Sequence, residues 1–195
     1  MLASLALSFA LLACAQEPAR PPTAAEVLAP WQGQWRGELE LWQRDGVARR
    51  VPMELHVQPV SASEWTWTIV YGAPSDRQER RYALRAKDGG ALEIDERNGI
   101  VLPLQRFAQR FFSRFSVGTS ELLARYELVG EGELLYEMIS AGGAEAGKTG
   151  GAGETPEVVT APVCGFQRAL LRRAAERSPQ PEARPSTGEP PAKKG

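Results

Sequence analysis

Through the middle of the chain, apolar and polar residues alternate with a period of two, the mark of strands that bury one face and wet the other. Trp35, Gly37, Leu39 and Leu41 fall on one face of the first such segment, with Gln34, Arg36, Glu38 and Glu40 on the other. Met53, Leu55 and Val57 alternate with Glu54, His56 and Gln58 in a second, and Trp65, Trp67, Ile69 and Tyr71 with Glu64, Thr66 and Thr68 in a third. A fourth strand is expected over 77–86 with Tyr82 and Leu84 inward, and Lys87-Asp88-Gly89-Gly90 turns it into a fifth over 91–95. Asn98-Gly99 is a dipeptide suited to positive φ in a tight hairpin. Further short strands are expected over 100–104, 111–117, 121–129 and 133–140.

Two segments read either way. Arg106, Arg110 and Arg114 recur every four residues among Phe107, Phe111, Phe112 and Phe115, which would place the arginines on one side of a helix. As a strand the same segment separates Phe111, Ser113 and Phe115 from Phe112 and Arg114. It then leaves Phe112 beside the cation, where an exposed ring would mark an interaction surface. Residues 163–175 fit a helical stripe through Phe166, Ala169, Leu170 and Arg173, or a strand through Val163, Gly165, Gln167, Ala169 and Leu171. Strand is the better fit, because Pro162 precedes it and a meander needs a closing partner.

Eight to ten short strands in series, joined by hairpin turns, predict an all-β fold, an antiparallel up-and-down meander. Closing it into a barrel removes the exposed edges that invite aggregation. A two-sheet sandwich is the alternative, since alternation alone does not distinguish closure from stacking.

Composition divides the chain. Residues 1–13 are an apolar run, MLASLALSFALLA, too short for the ~20 residues of a membrane span and of the length of a signal-peptide core. Residues 14–28 begin QEPARPPTAA after Cys14 and Ala15 and read as a proline-rich tether. Residues 29–175 carry the strands, with a glycine-rich loop over 141–155, and 176–195 lack residues large enough to build a core. No Lys or Arg precedes Arg20, so the basic start typical of a signal is missing and the initiation codon is open to question.

The end of the first segment, Leu11-Leu12-Ala13-Cys14, resembles the lipobox of bacterial lipoproteins, with Leu12 the looser fit. The resemblance implies cleavage before Cys14, acylation of its sulfur and export to a membrane. Ala15 after the cysteine implies the outer membrane where the cell has one. The alternative is an ordinary secretory signal cut nearby, leaving a soluble protein outside the cytoplasm.

The net charge of −1 gives no general attraction to nucleic acid or to an anionic bilayer. With Cys14 modified, Cys164 is the remaining thiol of the two and is expected to be a small buried apolar residue. His56 is the single histidine, so Cys₂His₂ and His₃ zinc sites are excluded, and no G-x-S-x-G elbow supports a serine triad around it. Asp95, Glu96, Arg97 and Asn98 crowd one turn, but neighbouring strand positions face opposite ways, so the two acids do not form a catalytic pair and the group reads as a solvated hairpin tip. No catalytic residue, metal or cofactor is expected, and the protein is not expected to be an enzyme.

Ahead of the first strand stands Trp31-Gln32-Gly33-Gln34-Trp35-Arg36-Gly37. Its G-x-W, Gly33 and Trp35, is similar to the opening signature of lipocalins and related calycin barrels, and with Gly37 the pattern resembles the small bacterial barrels similar to nitrobindin. The resemblance implies a barrel whose tryptophan plugs the closed end. Haem of the nitrobindin type would need a late axial histidine, and His56 is early and on the wet face; Tyr126 and Tyr136 are conceivable iron ligands that nothing singles out. As plain core aromatics, Trp31 and Trp35 would each contribute roughly 1.5–3 kcal/mol by burial.

Two functions remain. The first is a membrane-anchored lipoprotein that binds a small apolar ligand or lipid in a lipocalin-like barrel, with Trp65, Trp67, Tyr71 and Tyr82 as ligand-binding candidates beside Leu39, Leu55 and Ile69. The second is a structural or interaction module of the cell envelope with a filled barrel. A cavity decides between them.

Overall fold

The computed structural model describes residues 20–142 and 147–175. Residues 1–13, Cys14 and the tail 176–195 lie outside the described residues. The strands are β1 Gly33–Gln43, β2 Gly46–Val57, β3 Glu64–Tyr71, β4 Gln78–Ala86, β5 Leu92–Asp95, β6 Val101–Phe107, β7 Arg110–Val117, β8 Ser120–Gly130, β9 Glu133–Gly142, β10 Gly147–Thr149, β11 Val158–Thr160 and β12 Val163–Arg173. All but β10 and β11 close into one antiparallel barrel, in the order β1-β12-β9-β8-β7-β6-β5-β4-β3-β2. The first and last barrel strands supply the closure, pairing from Trp35 opposite Arg173 to Trp42 opposite Phe166. The sandwich alternative falls away, because this ladder leaves no edge free.

The ambiguous segments are strands. Residues 106–115 turn a corner between β6 and β7, with Ala108 at φ 54 in the tight connection, so the arginine spacing has no helix to act on. Phe111 and Ser113 point inward and are buried. Phe112 meets Phe107 edge to face at 5.8 Å, and Arg114 pairs with Glu121 at 2.6 Å instead of sitting against Phe112. Strand β2 starts seven residues before the expected Met53, because Arg49, Arg50 and Val51 continue the pairing with β1 through a polar stretch that hides the alternation, and Val47 rejoins it beyond a one-residue shift in register. Within the glycine-rich segment, β10 pairs with β11 as a separate hairpin, tied by Lys148 and Glu157 at 2.9 Å.

Cys164 corrects an expectation. It is exposed, because the β9 to β12 register slips between Val163 and Gly165 and leaves Cys164 as the extra residue of a bulge. Its sulfur lies 3.5 Å from the Ser140 carbonyl oxygen.

The end of the expected tether also differs. Thr23 caps a short helix, α1 Ala24–Leu28, in a capping box with Glu26, and Leu28 is fully buried. The Thr23 backbone N–H, donated to Glu26, leads in holding that carboxyl down at about 2. A single turn of 3₁₀ helix, Ala29–Trp31, then delivers Trp31 into the barrel.

There the closed end is packed. Trp31 stacks on Phe111 at 4.3 Å, and Trp35 donates its indole N–H to the Trp31 carbonyl at 2.8 Å. Leu55, Trp65, Leu84, Leu134 and Leu171 complete a layer with almost no exposure. Gly33 takes φ +124, and a Cβ there would stand 2.7 Å from an Arg173 nitrogen; a Cβ on Gly37 would stand 2.4 Å from the Leu170 carbonyl oxygen. Both glycines therefore serve the β1 to β12 closure.

Candidate functional site

The other half of the barrel is hollow. Inward-facing positions of β3 through β9 surround a cavity of about 570 Å³, lined among others by Trp67, Ile69, Ile94, Leu102, Phe115, Leu122 and Met138. The space exists because the inward positions beyond the packed layer are small on one wall: Ser113 follows Phe111 on β7, and Ala124 precedes Tyr126 on β8, where they face each other across the ladder. Exposed Ile100 and Val117 mark the mouth.

Its floor is aromatic. Trp67 reaches across to meet Tyr126 edge-on at 5.1 Å, and Tyr126 lies 5.0 Å from Tyr136, its partner on β9. Beneath, Trp31 lies 6.4 Å from Trp67 and separates the cavity from the closed end. All four tyrosines of the chain line this space. Burial pushes the phenols of Tyr126, Tyr136 and Tyr71 upward, so at neutral pH they are protonated and able to donate.

Polar groups are few and placed at two levels. Near the mouth Arg80 donates to the Tyr82 hydroxyl at 3.3 Å, its guanidinium carbon lies 5.9 Å from the Tyr71 ring centre, and half-buried Glu96 shares the wall. That bond to Tyr82 also raises the Arg80 pKa, so the guanidinium stays charged. Deeper, the Trp67 indole N–H and the Ser113 hydroxyl are buried without a hydrogen-bond partner. Two more buried polar atoms lack partners, on Trp65 and Arg125, but neither residue lines the cavity.

Of the sequence-predicted ligand residues, Trp67, Tyr71 and Tyr82 are brought together on this wall, and Trp65 is not. Its side chain is 1% exposed in the packed layer with Leu39 and Leu55, which likewise fill and do not line the cavity. Arg80, Glu96 and Ser113 were missed. Parity was the available signal: Arg80 stands two residues before Tyr82, Glu96 two after Ile94, and Ser113 two after Phe111, each a polar residue on the inward register. His56 lies outside the cavity, with its Nε2 2.7 Å from a Glu54 oxygen. Among the described residues no three His, Cys, Asp or Glu side chains converge as a metal site would need, and no helix is long and apolar enough to cross a membrane.

No protein-family model and no curated sequence matches this chain. Solved structures do. The S-type phycobiliprotein lyase CPES from Guillardia theta is similar over 80% of this chain and 95% of that one, at 11% identity and a TM-score of 0.56. A protein from M. tuberculosis is similar over 78% of this chain and 98% of that one, at 15% identity and a TM-score of 0.44. The ileal bile acid-binding protein of zebrafish, complexed with cholic acid, is similar over 74% of this chain and 99% of that one, at 9% identity and a TM-score of 0.35. At such identities the likeness is one of fold, a closed antiparallel barrel.

Proposed function

We propose that this protein binds a small, largely apolar molecule in the open half of its barrel, as a binding protein and not an enzyme. The observation that carries the reading is the cavity, whose volume of about 570 Å³ falls within the roughly 300–1,000 Å³ of small-molecule sites. Its walls are mostly aromatic and aliphatic, with a small number of polar groups that would orient a guest. A filled-barrel envelope module has no use for such a space. Native mass spectrometry of the purified protein tests the reading, with a small molecule released on denaturation as the expected result. No co-purified molecule, together with no thermal shift on adding lipid extracts, would end it.

We also propose that Cys14 carries acyl chains that hold the barrel to a bacterial membrane, the outer one where the cell has two. The support is the lipobox-like run before it. Each buried CH₂ contributes roughly 0.8 kcal/mol, so one chain holds marginally and two or three hold firmly. A Cys14→Ala variant is expected to leave the membrane fraction, and an unchanged distribution would refute the anchor.

A further inference from the structure

We infer that the cavity floor recognises a neutral hydrogen-bond acceptor, so that the ligand class is planar apolar molecules carrying a carbonyl at their buried end. The inference rests on the binding reading above and names its chemistry. Trp67 and Ser113 come from β3 and β7, strands that are not neighbours in the closed ring, and both line the cavity. The Trp67 ring meets Tyr126 edge-on at 5.1 Å, while Ser113 sits opposite Ala124, two residues from Tyr126 on the same strand.

Trp67 is fully buried and Ser113 is 2% exposed, yet the indole N–H and the hydroxyl have no partner. A buried donor without a partner is costly, and an indole N–H can only donate. A guest that presents an oxygen acceptor at this depth offers these donors a partner, whereas an alkyl tail satisfies neither.

Two observations select a neutral oxygen over a carboxylate. The cation of the cavity, Arg80, belongs to its exposed mouth and bonds Tyr82 there. At the floor the surroundings disfavour charge, as the upward shift of the Tyr126 and Tyr136 phenols by burial reflects. Planarity follows from the walls: Trp67, Phe115, Tyr126 and Tyr136 offer ring faces and edges against which a flat guest packs well.

The test uses the full-length protein and two probes, the naphthalene fluorophore prodan, which carries a propionyl carbonyl, and its analogue with propyl in place of propionyl. Prodan is expected to bind about tenfold more tightly, the size of one or two satisfied buried hydrogen bonds, with the red-shifted emission of a hydrogen-bonded carbonyl. Ser113→Ala and Trp67→Phe should each reduce that preference, read as the ratio of the two affinities, several-fold. Should Trp67→Phe fail to fold, Ser113→Ala, which removes one oxygen atom, reads the same preference. Equal affinities for the two probes, or a preference untouched by Ser113→Ala, would overturn the inference and leave the binding reading standing. Binding of neither probe, with no co-purified molecule, would overturn both.

Discussion

The guanidinium carbon of Arg173 lies 4.1 Å from the centre of the Trp35 ring, joining the last residue of β12 to the start of β1. The same guanidinium donates to the carbonyl oxygens of Gln32 and, at 2.6 Å, Pro30. One side chain thus clamps the entry to the first strand, the 3₁₀ turn before it and the indole that plugs the closed end. Arg173→Ala should lower stability by about 1–2 kcal/mol, the low end for a cation–π contact plus charge-assisted hydrogen bonds, because the arginine is solvent-exposed. Urea denaturation checks this, and Arg173→Lys should recover only part of the loss, since an ammonium cannot span both carbonyls. A midpoint unchanged in Arg173→Ala would show the clamp to be energetically idle.

Ala124 is the small inward residue opposite Ser113 that keeps the cavity open. Ala124→Leu places added methyl groups in that space, so it should weaken binding of any interior guest at least about tenfold while the fold holds, because the residue enters a void and not a packed layer. Fluorescence titration with an apolar probe, alongside a thermal melt, separates loss of binding from loss of structure. Full affinity in a folded Ala124→Leu protein would place the guest elsewhere.

The tyrosines set an alkaline limit. In an unfolded chain a phenol ionises near pH 10, whereas burial holds Tyr71, Tyr126 and Tyr136 above that value. Above about pH 10 the unfolded state therefore binds fewer protons than the folded one, and stability falls as pH rises. The contribution is complete below about pH 10 and is lost as pH climbs through the folded-state values. Denaturant midpoints at rising pH should drop in step with tyrosinate absorbance; ionisation of these phenols near pH 10 with no loss of stability would contradict the buried floor.

Cys164 should behave as a surface thiol. Its place in the β12 bulge predicts rapid labelling of the native protein by a maleimide, and Cys164→Ser should shift stability by no more than about 0.5 kcal/mol, as surface substitutions do. Labelling that requires denaturant would contradict its exposure.

Much of the barrel was legible in the chain because a strand's side-chain parity is local covalent geometry. Leu39, Leu55, Tyr82 and Leu84 declared their inward face by alternation alone, and Asn98-Gly99 declared its turn. The same rule applied to Arg80, Glu96 and Ser113 would have put polar groups inside, but a polar residue on an inward register reads from sequence as the end of a strand. Cys164 was illegible for a related reason: a bulge is set by the register between two strands far apart in sequence, here β9 and β12.

Trp65 and Trp67 mark the boundary between the two kinds of knowledge. They share a strand, a face and a residue type, and the sequence by itself determined that both point inward in a meander of antiparallel strands. Only the tertiary structure decided that Trp65 fills the closed end while Trp67 floors a cavity. That outcome depends on how deep the layer of Leu28, Trp31 and Phe111 rises inside the closed ring, and those residues meet only once β1 has paired with β12.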